Sequence, residues 1–285
     1  MAHSGIMNYR HAYHAGNFAD VVKHAVLALI LERLKAKDTP FCVIDTHAGI
    51  GRYDLLAEPA QKTGEYREGI VKAMAPPITP EMEPYLAVIR AMNRGRMDIR
   101  WYPGSPALAQ ALIRKNDRLL LYELHPEDAR LLAQFFAGDR RVTVQHADGY
   151  GALKAVLPPV ERRGLVLIDP PFEVKDEFAR LMRGLRHAYR RWATGTYVIW
   201  YAIKDRAPIR AFHDALVASG LRRILVCELL RFPDDTPDRL NGAGLVIINA
   251  PWRLDDDLAR LLPELLRRFG AGPRGHVRVD TLVGE

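Results

Sequence analysis

The segment LVLIDPPFEV, residues 165–174, decides the fold, because four aliphatic residues lead directly into an acid, two prolines and an aromatic residue. An uninterrupted aliphatic run is typical of a strand that is buried on both faces in a parallel sheet. Proline has no backbone N–H to donate. The strand therefore ends in two hydrogen-bond acceptors, the Asp169 carboxylate and the Pro170 carbonyl, beside the ring of Phe172. A proline-rich strand exit without function is the alternative interpretation.

Strands and helices alternate along most of the chain. Strands are predicted at 41–44, 119–123, 141–146, 165–168 and 197–201. The longer helices are predicted at 17–37, 126–136, 175–192 and 207–219. The last two strands, 224–230 and 244–249, have no long helix between them and are expected to pair as an antiparallel hairpin. This pattern predicts an α/β fold with a doubly wound, mostly parallel sheet and one antiparallel strand.

The alternation lapses between residues 52 and 101. Helical pieces are predicted at 66–74 and 80–92, separated by Pro76 and Pro77. We therefore predict a small inserted helical subdomain, 52–101, within one Rossmann-like domain formed by 7–51 and 102–285.

Composition limits the class of protein. The chain has 285 residues, a net charge of +7 and a pI of about 9.5, which favours a polyanionic partner. No apolar run reaches the roughly 18 residues needed to span a bilayer, so no membrane association is expected. Cys42 and Cys227 lie in separate apolar runs and are expected to be buried thiols in a reducing cytoplasm. No metal-ligand spacing is present in the sequence, and no metal is expected.

Acidic residues end four predicted strands. They are Asp45, Glu123, Asp148 and Asp169. In open parallel sheets, ligands bind beyond the carboxyl ends of the strands. Glu123 is expected to accept both hydroxyls of a ribose, and Asp148 to accept from an adenine amino group. The alternatives are a charge at a helix N-terminus for Glu123 and a helix cap for Asp148.

The turn after the first strand contains Gly49 and Gly51, which let the backbone pass close to a ligand. Taken alone, the turn is better explained as a tight strand-to-helix turn. The third glycine of a dinucleotide fingerprint is absent because residue 54 is Asp, and no phosphate-binding GK[ST] loop exists. The ligand is therefore expected to carry adenosine without pyrophosphate, which fits S-adenosylmethionine.

A methyl donor explains the opening segment. An enzyme that methylates an exocyclic amine must hold its hydrogens and aim its lone pair at the methyl group. Asp169 and the Pro170 carbonyl are suitable acceptors, and Phe172 offers a ring for an extruded base. We expect these three residues to be catalytic. The segment Asn249–Trp252 resembles an Asn-Pro-Pro-aromatic motif, but its strand should run antiparallel and end at the opposite edge.

Several longer motifs carry a family resemblance. They are YRHAYHAGN at 9–17, DVVKH at 20–24, DTHAG at 45–49, YPGSP at 102–106, ELHP at 123–126 and DG at 148–149. With DPPF at 169–172, the chain from Met7 resembles the RlmJ family of 23S ribosomal RNA adenine-N6 methyltransferases, which have a Rossmann-like class I fold with a helical insertion.

The resemblance implies roles for particular residues. Donor contacts are implied for His24, His47, Ser105, Glu123, Asp148, Gly149 and Asp169. Lys23 is implied to lie near the methionine end of the donor, and Tyr9 across the substrate pocket beside Phe172, where the family often has Tyr. From the sequence alone, His24 would be taken for a packing histidine. Residues 1–6 precede the family's usual start and are expected to be a disordered leader.

The expected partner is 23S ribosomal RNA, bound without an obligatory protein partner by a monomer. Clustered arginines at 90, 94, 96 and 100 in the insertion and at 180–191 suit RNA binding; the insertion is the preferred candidate, because a solvated helix face explains 180–191 at least as well. The modest basic patches favour protein-free RNA as substrate. The alternatives are a guanine-N2 RNA methyltransferase, an adenine-N6 DNA methyltransferase and a non-catalytic RNA-binding protein with this fold. A cytosine-C5 enzyme is disfavoured because no Pro-Cys nucleophile is present.

Overall fold

The structure is a computed structural model, and it describes residues 11–172, 176–234, 236, 239–272 and 274–285. The expected leader, residues 1–6, and Tyr9 lie outside the described residues. No helix in the described ranges is long and apolar enough to cross a membrane.

Ten strands are formed by the described residues: β1 Cys42–Asp45, β2 Arg52–Asp54, β3 Trp101–Pro103, β4 Arg118–Glu123, β5 Val142–His146, β6 Gly164–Ile168, β7 Thr196–Ile203, β8 Ile224–Leu230, β9 Gly242–Ile248 and β10 His276–Val283. Eight of them form one sheet in the order β10-β8-β9-β7-β6-β1-β4-β5. The strands β5, β4, β1, β6 and β7 run parallel. The predicted mostly parallel α/β fold is confirmed.

The antiparallel part differs in one respect from the prediction. β9 lies antiparallel between β7 and β8, so the predicted hairpin of β8 and β9 is confirmed. β10, which was not predicted, pairs antiparallel with β8 and gives the sheet a second reversed strand. Because β9 is reversed, the segment beginning at Asn249 follows it at the edge opposite to Asp169, as predicted.

The helices pack on both faces of the sheet. They are α1 Phe18–Lys35, α2 Glu58–Thr63, α3 Glu83–Met92, α4 Ser105–Leu112, α5 Pro126–Phe135, α6 Gly149–Val156, α7 Glu177–Arg191, α8 Arg206–Val217 and α9 Leu254–Phe269. Alternate strand residues enter opposite cores: Val43 packs with α1 and α9, whereas Ile44 packs with α6, α7 and α8. α1 is buried almost all round, and Asn17 caps it by accepting from the Asp20 N–H at 2.8 Å.

The predicted insertion, 52–101, contains α2, a π-helical turn at Arg67–Val71 and α3, and β2 pairs with β3 to bring its two ends together. Leu55, Leu86 and Ile89 are buried in the same core as α1. The π-helical turn lies directly against the start of α1, because a Cβ on Gly69 would come within 2.1 Å of the Gly16 carbonyl oxygen. The insertion therefore helps to fix α1. Its standing as a subdomain stays a prediction.

Candidate active site

The four predicted acids lie along one edge of the sheet. Asp45 ends β1, Glu123 ends β4, Asp148 follows β5 and Asp169 follows β6. Because β6, β1, β4 and β5 are neighbouring parallel strands, their carboxyl ends form one continuous rim. The sequence prediction that these acids share one edge is confirmed.

Lys23 joins α1 to this rim. Its Nζ lies 2.6 Å from Asp169 Oδ2 and 2.8 Å from Asp20 Oδ1. The Lys23 and Asp20 side chains are 5% and 2% exposed, and that of Asp169 is 14% exposed. Asp20 also accepts the Gly16 N–H at 2.9 Å and contacts His11 Nε2 at 3.2 Å. Lys23 is therefore held in place between two carboxylates, one of which faces the cleft.

The charges of this cluster determine its protonation. Burial alone would lower the pKa of Lys23, but Asp169 and Asp20 outweigh it and raise that pKa well above its ordinary value. Burial alone would raise the pKa of Asp20, but the charge of Lys23, the neighbouring His24 and His11 and the hydrogen bond with His11 together hold that pKa well below its ordinary value. Lys23 is therefore a permanent cation at neutral pH.

His24 lies behind this cluster. Its ring is buried, its Nδ1 lies 2.9 Å from the Tyr102 hydroxyl and its Nε2 lies 3.6 Å from Asp20 Oδ1. Tyr102 in turn contacts the Tyr85 hydroxyl at 2.9 Å. Burial lowers the pKa of His24 to about 3, so the ring is neutral. The structure thus shows the packing role that the sequence alone suggested, and the donor contact implied for His24 stays a prediction.

Asp45 and Ser105 form a buried pair under the rim. Ser105, the first residue of α4, donates its hydroxyl to Asp45 Oδ2 at 2.7 Å, and the His47 N–H donates to Asp45 Oδ1 at 3.1 Å. Burial raises the pKa of Asp45 to about 7, although these two hydrogen bonds act in the opposite direction. The Ser105 hydroxyl is therefore used in a hydrogen bond to Asp45. The contact with a methyl donor that the family resemblance implies for Ser105 stays a prediction.

Glu123 holds the glycine turn. Its Oε2 accepts the Gly49 N–H at 2.8 Å and its Oε1 accepts the His125 N–H at 2.8 Å. Gly49 has φ of +63°, a left-handed conformation that favours glycine. Burial raises the pKa of Glu123 above its ordinary value. Each carboxylate oxygen accepts one backbone N–H and keeps a lone pair for a further donor.

Asp148 caps α6, as the alternative interpretation predicted. Its Oδ2 accepts the Gly151 N–H at 3.2 Å, and its Oδ1 lies 2.8 Å from Arg180 Nη2 of α7. Gly149 packs so closely on the β1 turn that a Cβ would come within 2.2 Å of the Thr46 carbonyl oxygen. Both residues therefore have a local structural role, and their predicted contacts with an adenine ring or donor remain untested.

His47 lies half-buried in the β1 turn. Its Nδ1 is 2.8 Å from the Thr46 hydroxyl, and its ring meets the edge of Tyr150 at a centroid distance of 5.2 Å. Burial lowers the pKa of His47 to about 4, against the opposing effect of Asp169 and Asp148. The ring is therefore neutral and available at the rim.

Phe172 lies in an aromatic cluster. Its ring centroid is 4.9 Å from that of Phe178 and 6.3 Å from that of Trp200, and its backbone is left-handed with φ of +51°. Trp200 lies on β7, and Lys23 Nζ is 5.5 Å from the centre of its ring. Sequence reasoning did not assign Trp200 to the site. The signal in the sequence was an aromatic residue near the carboxyl end of the predicted strand 197–201.

Asp20 was also missed as a site residue, although it begins the DVVKH motif at 20–24. The available signal was three polar residues, Asp20, Lys23 and His24, close together in a helix whose other residues up to Leu31 are apolar. Charged residues are rarely buried unless they are paired. Their spacing of three and four residues places them on one side of the helix.

A surface groove and a small cluster of possible metal ligands do not include Asp169. A groove of about 490 Å³ is lined by Ile50, Arg52, Trp101 and Phe135 among others, and Asp169, Lys23 and Glu123 are not in its wall. In the described part of the chain, one group of possible metal ligands lies within 4.8 Å: His125, Glu127 and Asp128. His125 Nδ1 accepts the Asp128 N–H at 3.4 Å as a cap of α5, and exposed groups of this kind are common without an ion.

Comparisons with known proteins agree along nearly the whole chain. The model of a family described as "Ribosomal RNA large subunit methyltransferase D, RlmJ" matches residues 38–283. Proteins named ribosomal RNA large subunit methyltransferase J from Escherichia coli and Haemophilus influenzae are 45% and 44% identical over 281 residues, which are 98% of this chain and 100% of each relative. A crystal structure of a Legionella pneumophila protein, 34% identical, has a TM-score of 0.86 and covers 94% of this chain and 98% of that chain.

Proposed function

The chain belongs to the RlmJ family of ribosomal RNA large subunit methyltransferases, and from that premise we propose that it transfers a methyl group from S-adenosylmethionine to the exocyclic N6 amine of one adenine in 23S ribosomal RNA. Family membership makes it a ribosomal RNA methyltransferase with a class I α/β fold. The identity of the base, the donor and the roles of individual residues belong to the proposal.

One observation carries the proposal. Asp169 Oδ2 is held by Lys23, while Oδ1 has no hydrogen-bond partner among the described residues. This oxygen belongs to a carboxylate that is 14% exposed, next to the Pro170 carbonyl and the ring of Phe172. A fixed, partly exposed acceptor beside an aromatic ring suits an extruded base that presents an amino group.

The chemistry of the rim fits the proposed donor. When bound, S-adenosylmethionine supplies a methyl group activated by a sulfonium. Lys23, Asp20 and Asp169 together carry a net charge of −1, which favours a cation nearby. The remaining lone pairs of Glu123 suit the two hydroxyls of a ribose. The family resemblance is the basis for assigning donor contacts to five further residues: Asp148, Gly149, His47, Ser105 and His24.

The proposed reaction depends on alignment. Asp169 and the Pro170 carbonyl accept the two amine hydrogens, which directs the nitrogen lone pair toward the methyl carbon. The nitrogen becomes cationic as its bond to the methyl carbon forms, and the bond between the methyl carbon and the donor sulfur breaks to leave S-adenosylhomocysteine. The Asp169 carboxylate stabilises the charge on the nitrogen and takes the released proton. Lys23 does not serve as the base because its raised pKa keeps it protonated. Its role is to fix the Asp169 carboxylate.

The proposed substrate also indicates where the protein acts and in what form it meets the RNA. We assign the activity to the cytoplasm, where ribosomal RNA is made and assembled, and to a monomer. We also propose that the substrate is protein-free RNA. If assembled large subunits were methylated as fast as naked RNA, this last part of the proposal would be wrong.

The test is methylation of unmodified 23S ribosomal RNA with a tritiated donor, followed by nucleoside analysis. We expect label in N6-methyladenosine at one position, and labelling that is at least about a hundredfold slower with Asp169→Asn. Label in N2-methylguanosine, or a preference for DNA, would establish one of the alternative enzymes. Donor and RNA binding without any transfer would indicate a non-catalytic RNA-binding protein.

A further inference from the structure

The exposed face of α7 carries arginines that have no acidic partner. Arg183, Arg186 and Arg190 are all exposed. None of the three forms an ion pair or hydrogen bond with another described residue, whereas Arg180 pairs with Asp148 and Arg191 donates to the Leu157 carbonyl. Steps of three and four residues place Arg183, Arg186 and Arg190 in a row on one side of the helix. The row is about 10 Å long, since a helix rises about 1.5 Å per residue.

The opposite face of α7 anchors the helix. Leu181, Met182 and Leu185 are buried against the sheet. Glu177, the only acid within α7, is buried and accepts from the Tyr150 hydroxyl at 2.9 Å, so it does not face the arginine row. The arginine row therefore presents positive charge from a rigid element to solvent.

The row begins next to the proposed base pocket. Phe178, in the first turn of α7, lies 4.9 Å from Phe172, which is proposed to stack on the target base. Arg183 follows Phe178 by five residues, a rise of about 7.5 Å along the axis. A strand whose target base entered the cleft at Phe172 would have its neighbouring phosphates within reach of this face.

The arginines of the insertion are arranged differently. Arg90 pairs with Glu83, Arg96 with Asp98 at 3.1 Å and Arg100 with Asp54 at 2.8 Å. Each of these positive charges is offset locally, which weakens the attraction for a distant polyanion. Among the four, only the Arg94 side chain has no partner in the described part of the insertion. The charge that is available to RNA is therefore greater on α7 than the sequence pattern suggested.

We infer that Arg183, Arg186 and Arg190 bind the phosphate backbone of the substrate RNA beside the methylated base. This inference rests on the proposed function, because it places the strand from the base pocket at Phe172. Phosphate contacts of this kind fix the register of the strand and contribute affinity that depends on salt.

The experiment compares two triple variants with the same change in charge. Arg183→Gln/Arg186→Gln/Arg190→Gln removes the row, and Arg90→Gln/Arg94→Gln/Arg96→Gln removes three exposed arginines of the insertion. For the first, we expect KM for RNA to rise about tenfold or more and the slope of log affinity against log salt to fall by about 2, near 0.7 per lost contact. The donor dissociation constant and kcat at saturating RNA should stay close to wild type.

The insertion variant should keep most of the salt dependence, and three Arg→Lys changes on α7 should retain much of it because the charge remains. An unchanged salt slope in the α7 variant, or an equal loss in the insertion variant, would overturn the inference. Wild-type protein that binds the RNA with this salt dependence but transfers no methyl group would refute the proposed function and leave the α7 result interpretable.

Discussion

The ammonium of Lys23 lies 2.6 Å from Asp169 Oδ2, although 146 positions separate the two residues in the chain. The contact joins a helix that precedes the sheet to the carboxyl end of β6. Asp20, one turn before Lys23, shares the same ammonium at 2.8 Å. The position of the proposed catalytic carboxylate is therefore fixed from α1, and changes in α1 should affect both stability and catalysis.

Replacing Lys23 with methionine keeps the length of the side chain and removes its charge. Asp20 and Asp169 would then be left close together without a cation, and we expect a loss of about 3–5 kcal/mol in the free energy of unfolding, measured with urea. Combining Lys23→Met with Asp20→Asn should cost less than the sum of the two single changes. Strictly additive losses would show that the two side chains do not interact.

Asp169→Asn keeps the size of the side chain and replaces an acceptor with a donor. We expect kcat to fall by about 10²–10⁴-fold, because the amine hydrogens lose their carboxylate and the released proton loses its acceptor. The melting temperature and most donor affinity should remain. Asp176→Asn, at an exposed acid beside α7, is the matched control and should keep full activity. Normal turnover by Asp169→Asn would refute the role given to this residue.

The raised pKa of Asp45 predicts that the stability of the protein depends on pH. Its pKa is about 7 in the folded protein and about 3.8 in the unfolded chain, so between these values the folded state binds more protons. Its contribution to stability is therefore full below about pH 4 and is lost as the pH rises through 7. His24 acts in the opposite direction, since its pKa of about 3 removes stability as the pH falls below about 6.5.

Comparing the wild type with Asp45→Asn separates the contribution of Asp45 to the pH dependence of stability from that of His24. The stability of the wild type relative to Asp45→Asn should decrease by about 1–3 kcal/mol between pH 5 and pH 7.5, measured by urea unfolding at both values. The Ser105 hydroxyl can still donate to the asparagine oxygen in the variant. Parallel pH profiles for the two proteins would mean that Asp45 is ionised at both pH values.

The sequence predicted the features that depend on local pattern. The aliphatic run at 165–168 and the acid after it located β6 and Asp169, because a strand buried on both faces has a recognisable composition. The same reasoning placed four acids on one rim, since parallel strands end at one edge. β10 was missed because it lies at the sheet edge, where its residues are only partly buried and its apolar signal is weak.

Contacts between distant segments were beyond the reach of this reasoning. Ser105 and Asp45 are 60 positions apart and meet only because α4 packs beside β1. Lys23 was placed near the donor by family resemblance, and nothing in the local pattern indicated that it holds Asp169. Similarly, the sequence of an arginine-rich segment does not show whether acidic side chains from other segments pair with those arginines. Only the fold shows that Arg100 faces Asp54 while Arg186 faces solvent.

Glu123→Ala should weaken donor binding by about 1.5–3 kcal/mol, measured by calorimetry, because a carboxylate that accepts hydroxyl hydrogens is lost. The same change frees the N–H groups of Gly49 and His125, so the turn should also loosen. Glu123→Gln retains one acceptor oxygen and should lose less. Glu127→Gln, on the exposed first turn of α5, serves as the control. Unchanged donor affinity in Glu123→Ala would exclude the ribose contact.

Phe172 tests whether the target base stacks on the aromatic cluster. Phe172→Ala should raise KM for RNA by a factor corresponding to about 1–3 kcal/mol, the usual contribution of one stacked base. Phe172→Tyr keeps the ring, and its added hydroxyl can reach solvent because residue 172 is half-exposed, so it should stay within about threefold of wild type. Donor affinity, which does not involve this ring, should be the same in all three proteins.

The alternative for Phe172 is a purely structural role against Phe178. Phe178→Leu separates the two, because it loosens the cluster from behind and leaves the ring of Phe172 in place. A structural role predicts that Phe178→Leu and Phe172→Ala lower the melting temperature and the activity in the same proportion. Base stacking predicts that Phe172→Ala alone raises KM for RNA beyond what its loss of stability explains, and equal behaviour of the two variants would contradict it.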